Sequence, residues 1–247
     1  MFSTRQELKR RAKEAMEGTK PSYMIFGIIM VIALNAESWL TALFGKGVNI
    51  DFTTYEELMD QITAASMAIS LPLRIASLAL ALFVGVLAFG FKRYCLRISR
   101  GEKELGIDEL VSGFPIFWKI VGLNILTGLL IMLWSLLLFI PGIIAVYRYR
   151  MAEQVLIDHP DWGIIKCISE SKRLMKGNKA RLCVQDLSFF GWMLLSSFVT
   201  MITFVPVMDI WLNPYMITTE CCFYNELKAQ DEMQAANGSS DAEWWEN

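Results

Sequence analysis

Long uncharged apolar runs alternate with polar, mostly basic stretches from the start of the chain to Leu227. Four runs stand out, at 22–44, 75–91, 116–147 and 187–208. A helix rising about 1.5 Å per residue needs about 20 residues to cross the hydrocarbon core of a bilayer. The first, second and fourth runs therefore each predict one crossing. The third is too long for one, and it contains Pro141-Gly142, a pair that interrupts helices and favours a turn. It reads as most of a hairpin that turns near 140–142 and returns through 143–157.

Loop charge sets the orientation, because Lys and Arg beside membrane helices are retained on the cytoplasmic face. Arg5, Lys9, Arg10, Arg11, Lys13 and Lys20 precede the first run, whereas the loop at 45–69 has Lys46 beside Asp51, Glu56, Glu57 and Asp60. The N-terminus is expected inside and that loop outside. Lys92, Arg93, Arg97, Arg100 and Lys103 then bring the chain back inside. A single crossing by the third run would strand Arg148, Arg150, Lys166, Lys172, Arg173, Lys176, Lys179 and Arg181 outside, and a hairpin keeps them in. The fourth run poses the same problem, solved by a turn at Pro206 and Asp209 and a returning helix at 210–227. Phe139-Ile140-Pro141 leading to Glu153 and Phe204-Val205-Pro206 leading to Glu220 make the two hairpins loosely alike, a likeness that chance explains better than an internal repeat.

The expected fold is all-α: a polytopic transmembrane helical bundle of six helices with both termini inside, plus amphipathic interfacial helices. Four or five spans with a re-entrant Pro-Gly segment is the alternative. A cleaved signal peptide ending near Ala36-Glu37-Ser38 fits less well, since apolar character resumes at 39–44. The chain divides into a basic N-terminal interfacial helix at 1–20, a transmembrane domain at 21–228 and an acidic, disordered tail at 229–247 carrying Trp244-Trp245. Leu8, Ala12, Ala15 and Met16 recur at helical spacing in the first segment, which suits a helix on the inner leaflet drawn to anionic lipid. Within the second, 161–176 predicts a cytoplasmic amphipathic helix. Ile164, Ile165, Ile168 and Met175 share one face, Lys166, Glu170 and Arg173 another, and Gly177-Asn178 ends it.

Composition strengthens this picture. Hydrophobic residues make up 54% of the chain and charged ones 19%, with mean hydropathy +0.39, against about 25% charged in a soluble domain. A net charge of −2 gives no support to nucleic-acid binding. Cys95, Cys167, Cys183, Cys221 and Cys222 form no CxxC pair and His159 is the single histidine, so no metal, cofactor or disulfide framework is expected. Adjacent Cys221 and Cys222 suit apolar packing better than acylation.

Several motifs occur in fixed order: Leu133-Trp134-Ser135-Leu136-Leu137, Ile140-Pro141-Gly142-Ile143, Tyr147-Arg148-Tyr149-Arg150-Met151-Ala152, and Ser171 followed by Leu174-Met175-Lys176-Gly177-Asn178-Lys179. Leu187-Ser188-Phe189-Phe190-Gly191-Trp192, Asn213-Pro214-Tyr215 and Phe223-Tyr224 complete the set. Over 3–227 the chain resembles an uncharacterised bacterial integral-membrane family, chiefly of Gram-positive bacteria, catalogued as a domain of unknown function. More distantly, the Ile-Pro-Gly turn and the basic Ser-x-x-Leu-Met-x-Gly helix are similar to the membrane domain of some glycerophosphodiester phosphodiesterases. The resemblance implies the bacterial cytoplasmic membrane and a shared architecture, and it carries over no catalytic residue.

Ionisable residues inside a membrane segment are functional candidates because burying them costs at least about 2.5–3.5 kcal/mol. Here they are Glu37, Arg74, Arg148, Arg150, Glu153, Asp186, Asp209 and Glu220. Arg148, Arg150, Glu153 and Glu220 are expected to form one polar cluster, with structural ion pairing favoured over a substrate or proton site. Pro141, Gly142 and Pro214 are the candidate helix breaks. No Walker loop, GxSxG or HExxH occurs, so an enzyme is not expected. The expectation is a membrane-embedded accessory or scaffold protein that engages anionic lipid of the inner leaflet, a protein partner or a homo-oligomer. The alternative is a small oligomeric transporter or exporter that uses the cluster and the break at Pro214.

Overall fold

Helices follow the apolar runs, though not one for one. The computed structural model describes residues 3–19, 22–44, 71–203 and 205–243, with the backbone alone at 37–44, 73, 139 and 234–243. The loop expected outside at 45–69, Lys20, Phe204, the side chain of Glu37 and Trp244-Trp245 lie outside the described residues. Numbered among the described residues, the helices are α1 (Arg5–Met16), α2 (Tyr23–Phe44), α3 (Leu71–Ser99), α4 (Phe117–Leu137), α5 (Phe139–Tyr149), α6 (Ala152–Asp158), α7 (Ile164–Leu174), α8 (Lys179–Leu187), α9 (Phe190–Thr203) and α10 (Asp209–Glu243). Two short 3₁₀ turns, Ile107–Val111 and Phe114–Ile116, lead into α4. The described fold is all-α.

The hairpin of the third run turns at Leu138, not at the expected Pro141-Gly142. Leu138 is extended (φ −163°, ψ 148°) and separates α4 from α5. Pro141 falls in the first turn of α5, where its missing N–H has no intrahelical acceptor to lose. Gly142 serves the packing of the two legs, since a Cβ there would lie 2.3 Å from Ser135 Oγ and 2.9 Å from its Cα. Pro214 does not break its helix either, because α10 runs through it. The carbonyl of Ile210, which Pro214 leaves without its helical donor, faces α2 at Gly27, where a Cβ would come within 2.1 Å of that oxygen.

Helix α10 is the central post, packed against α1, α2 and α3. Thr4 caps α1 by accepting the Glu7 N–H at 3.3 Å. Lys103 closes its other end, with Nζ donating to the carbonyls of Glu14, Ala15 and Glu17 at 2.9, 2.7 and 2.6 Å. The apolar face of α1 points inward: Leu8 is 2% exposed, and Ala12 and Met16 are as deeply buried. The expected docking of that face on a lipid leaflet is therefore replaced by docking on the bundle. Helix α7 keeps most of its expected apolar face, with Ile168 and Met175 buried and Ile164 packed against the core. It also buries Cys167, Ser171 and Leu174 and leaves Ile165 exposed. The tail expected to be disordered from Ala229 continues α10 to Glu243, and Asp231 pairs there with Arg173.

Two helical stretches, Arg74–Ser99 and Ile107–Leu137, are long and apolar enough to cross a membrane, and a third joins them if α8 and α9, bent by 40° at their junction, act as one. Tyr23–Ala36 is apolar but shorter. Two to three helices of spanning length, rather than six, are thus what the described helices establish.

Burial divides the molecule into two ends. Leu71, Ile75, Leu78 and Phe83 of α3 are exposed, while Phe89, Phe91, Tyr94, Leu96 and Ile98 of the same helix are buried. Helix α4 packs against it, Leu82 and Val86 of α3 lining a small cavity together with Ile120 and Ile125 of α4. Accordingly it buries Ile120 and Leu123 and exposes Leu129, Met132, Leu136 and Leu137.

Candidate functional site

The densest polar chemistry lies where α3, α6, α8 and α10 meet. Lys92 reaches it because α3 continues through the basic stretch, held by the buried Tyr94, Cys95, Leu96 and Ile98. Glu153 and Gln154 open α6, Glu220 sits on α10, and Arg150 lies in the short interruption between α5 and α6. Lys92 Nζ donates to Glu153 Oε2 at 2.6 Å and lies 4.0 Å from Glu220 Oε1. Arg150 donates to Glu220 Oε2 from Nε at 3.0 Å, and its Nη2 lies 2.9 Å from the same oxygen. Gln154 Nε2 donates to Glu220 Oε1 at 2.6 Å. Asp186 of α8 stands 3.8 Å from Arg150 Nη1. Glu220 is only 6% exposed, and a charge buried there without partners would cost several kcal/mol. Two cations and an amide now surround it.

The interruption beside this network is closed by one hydroxyl. Ser171 Oγ of α7 donates to the Arg148 carbonyl at 3.1 Å and accepts the Met151 N–H at 3.2 Å. It thus satisfies main-chain groups on both sides of the break. Of the four residues expected to cluster, the structure brings Arg150, Glu153 and Glu220 together. Arg148 contributes its carbonyl, while its guanidinium lies 5.9 Å from the centroid of the Tyr149 ring. Lys92 and Gln154 are the members that sequence reasoning missed. The signal for Lys92 was available, because large apolar residues recur on both sides of it without a helix-breaking residue.

A second network ties the far end of α10 to the α3 and α6 termini. Arg100 donates to both oxygens of Asp158, from Nη1 at 2.8 Å and Nη2 at 2.9 Å. Lys228 Nζ at 2.8 Å and the Tyr224 hydroxyl at 3.1 Å donate to Asp158 Oδ2. Burial alone would raise the Asp158 pKa, but the hydrogen bonds from Arg100 and Lys228 outweigh it and hold the carboxyl below the ordinary aspartate range. His159 next to it lies flat on Trp162, ring centroids 4.0 Å apart. Among the described residues no group of three or more His, Cys, Asp or Glu is placed to hold a metal ion.

Taken together, these features define a class: an all-helical chain with helices of membrane-spanning length, joined at one end by buried ion pairs. The family described as "Protein of unknown function (DUF975)" matches the chain over residues 1–145 and 135–231, and the chain belongs to that family. No curated protein and no solved structure matches it.

Proposed function

We propose that the chain is an integral membrane protein that acts as a membrane-embedded accessory or scaffold protein without catalysis of its own. Its apolar end sits in the bilayer of the bacterial cytoplasmic membrane, and its charged end is offered on the cytoplasmic side to lipid headgroups or a protein partner. The observation that carries this reading is the reversal of burial along α3 and α4. Apolar side chains are exposed in one half, while charged ones such as Glu220 are buried at the other end. Soluble monomers rarely show large contiguous apolar patches, whereas a bilayer covers such a surface. The topology we favour has six crossings with both termini inside, α5–α6 and α10 being the returning legs. Single cysteines at the exposed corner residue Leu138, at Lys172 and at Asp209, in a Cys183→Ser background, test it in intact cells. The expected result is that an impermeant thiol reagent labels the positions at Leu138 and Asp209 and spares Lys172; labelling at Lys172 would overturn the six-helix topology.

A cavity of about 630 Å³ lined by Asn35, Ser196, Asp209 and Asn213 favours the second reading, a small oligomeric transporter. Ser196→Cys decides between the two. Protection from a hydrophilic thiol reagent in every condition removes the transporter, and labelling that depends on the membrane potential supports it.

A further inference from the structure

A cavity of about 470 Å³ opens between the first turn of α1, α8 and α10. Its walls pose three separate chemical demands. The first is for an anion. Thr4 provides acceptors for the N–H groups of Glu7 and Leu8, which leaves the Arg5 and Gln6 N–H groups at the positive end of a 12-residue helix. Arg5 is itself exposed and lines the cavity. Arg181 forms another part of the wall and is held in place, its Nη2 donating to Glu226 Oε1 at 2.8 Å and to the Ser3 carbonyl at 3.3 Å.

The second demand is for a donor. Gln185 lines the cavity at 2% exposure, and its Oε1 has no hydrogen-bond partner. A buried amide oxygen of this kind calls for an O–H or N–H group. The third is for carbon. Leu8 and Phe223 form the floor, and the exposed Val184, Leu187 and Phe190 lead from the rim along α8 into α9. Lys9 fixes α1 to that junction, with Nζ donating to the Ser188 carbonyl at 3.1 Å and lying 3.9 Å from the Phe189 ring centroid.

An anionic phosphate ester of glycerol meets all three demands. We propose that this cavity binds the headgroup of an anionic glycerophospholipid. The phosphate lies against the first turn of α1 and Arg5, a headgroup hydroxyl donates to Gln185, and the acyl chains run over Val184, Leu187 and Phe190. This rests on the reading of the chain as a membrane protein.

The test uses the full chain in nanodiscs of phosphatidylcholine doped with phosphatidylglycerol, and native mass spectrometry counts the phosphatidylglycerol retained on release. Arg5→Gln and Gln185→Leu are each expected to weaken retention about tenfold, the effect of one lost hydrogen bond to a charged group or a comparable contact. Arg10→Gln removes the same charge from α1 away from the cavity and is expected to match the wild type. Gln185→Leu replaces an amide whose buried oxygen has no partner with an apolar group of similar size, so its fold is expected to survive. Equal losses in Arg5→Gln and Arg10→Gln would reduce the effect to net charge and overturn the site, as would full retention in Gln185→Leu. Displacement of the lipid by soluble glycerol phosphate at equal concentration would assign the cavity to a soluble ester and overturn the lipid. Carbonate extraction of the wild type from cell membranes reads membrane insertion separately, so failure of that premise is distinguished from failure of the site.

Discussion

The two ends of the molecule are built on opposite rules. At the apolar end, neighbouring helices touch through small residues and expose their large ones; Gly142 lies against Ser135 while Leu136, at 81% exposure, faces outward. At the charged end, large aromatics and aliphatics are buried, and charged groups are brought in with them as ion pairs. Single substitutions should therefore fail for different reasons. Loss of one partner is serious at the charged end and added volume is serious at the apolar end.

The largest effect is expected from Glu220→Ala, which leaves Arg150 and Gln154 without their shared acceptor and Lys92 without its second counter-charge, and should lower stability in detergent by about 3–5 kcal/mol. In a thermal unfolding series, a loss under about 1 kcal/mol would show that the network does not hold this end together. The pair Arg150→Met and Glu220→Leu, singly and combined, should be non-additive by at least about 0.5 kcal/mol. Next comes Gly142→Leu, which overpacks the α4–α5 hairpin and should cost about 1–3 kcal/mol. The exposed Ile140→Leu beside it should be silent in the same assay, and equal losses in the two would contradict the close contact with Ser135.

Asp158→Asn is expected to cost on the order of 2 kcal/mol at neutral pH. Because the folded carboxyl titrates below its unfolded value of about 3.9, its contribution is complete above that value and is lost as pH falls through the depressed folded one. Wild type and Asp158→Asn should therefore converge in acid, and a gap that widened below pH ~4 would reverse the assignment. The smallest effect on folding is expected from Leu136→Ser, under about 0.5 kcal/mol in detergent. The same change should lower the yield in a membrane-insertion reporter, and an unaltered yield would argue that this surface does not meet lipid.

The pattern of apolar runs was enough to anticipate an all-helical chain with a hairpin in the third run, because spanning length and a Pro-Gly pair are local properties. The place of the turn was not legible. Pro is tolerated in a helix's first turn, so Pro141 was compatible with a break on either side of it, and only the packing of Ser135 on Gly142 sets Leu138 as the corner. Lys92 was read as a loop flank because a charge after an apolar run usually marks the membrane border. Its helix continues because partners from α6 and α10, more than sixty residues away, neutralise it. A shorter separation, 20 and 23 residues from Met151 and Arg148, is still enough to hide Ser171, whose role exists only once α7 lies against the interruption at Arg150. The apolar face of α1 was evident from its spacing. Whether lipid or protein covers it depends on α10, about which α1 holds no information.

That last point bears on how the protein is made. The residues that cover Leu8, Ala12 and Met16 belong largely to α10, some two hundred positions later in the chain. At about 5–20 residues per second of synthesis, the first helix waits roughly 10–40 s for its permanent seat. During that interval a chaperone or the membrane surface must shelter its apolar stripe, so the helix that ends inside the protein has an earlier life outside it.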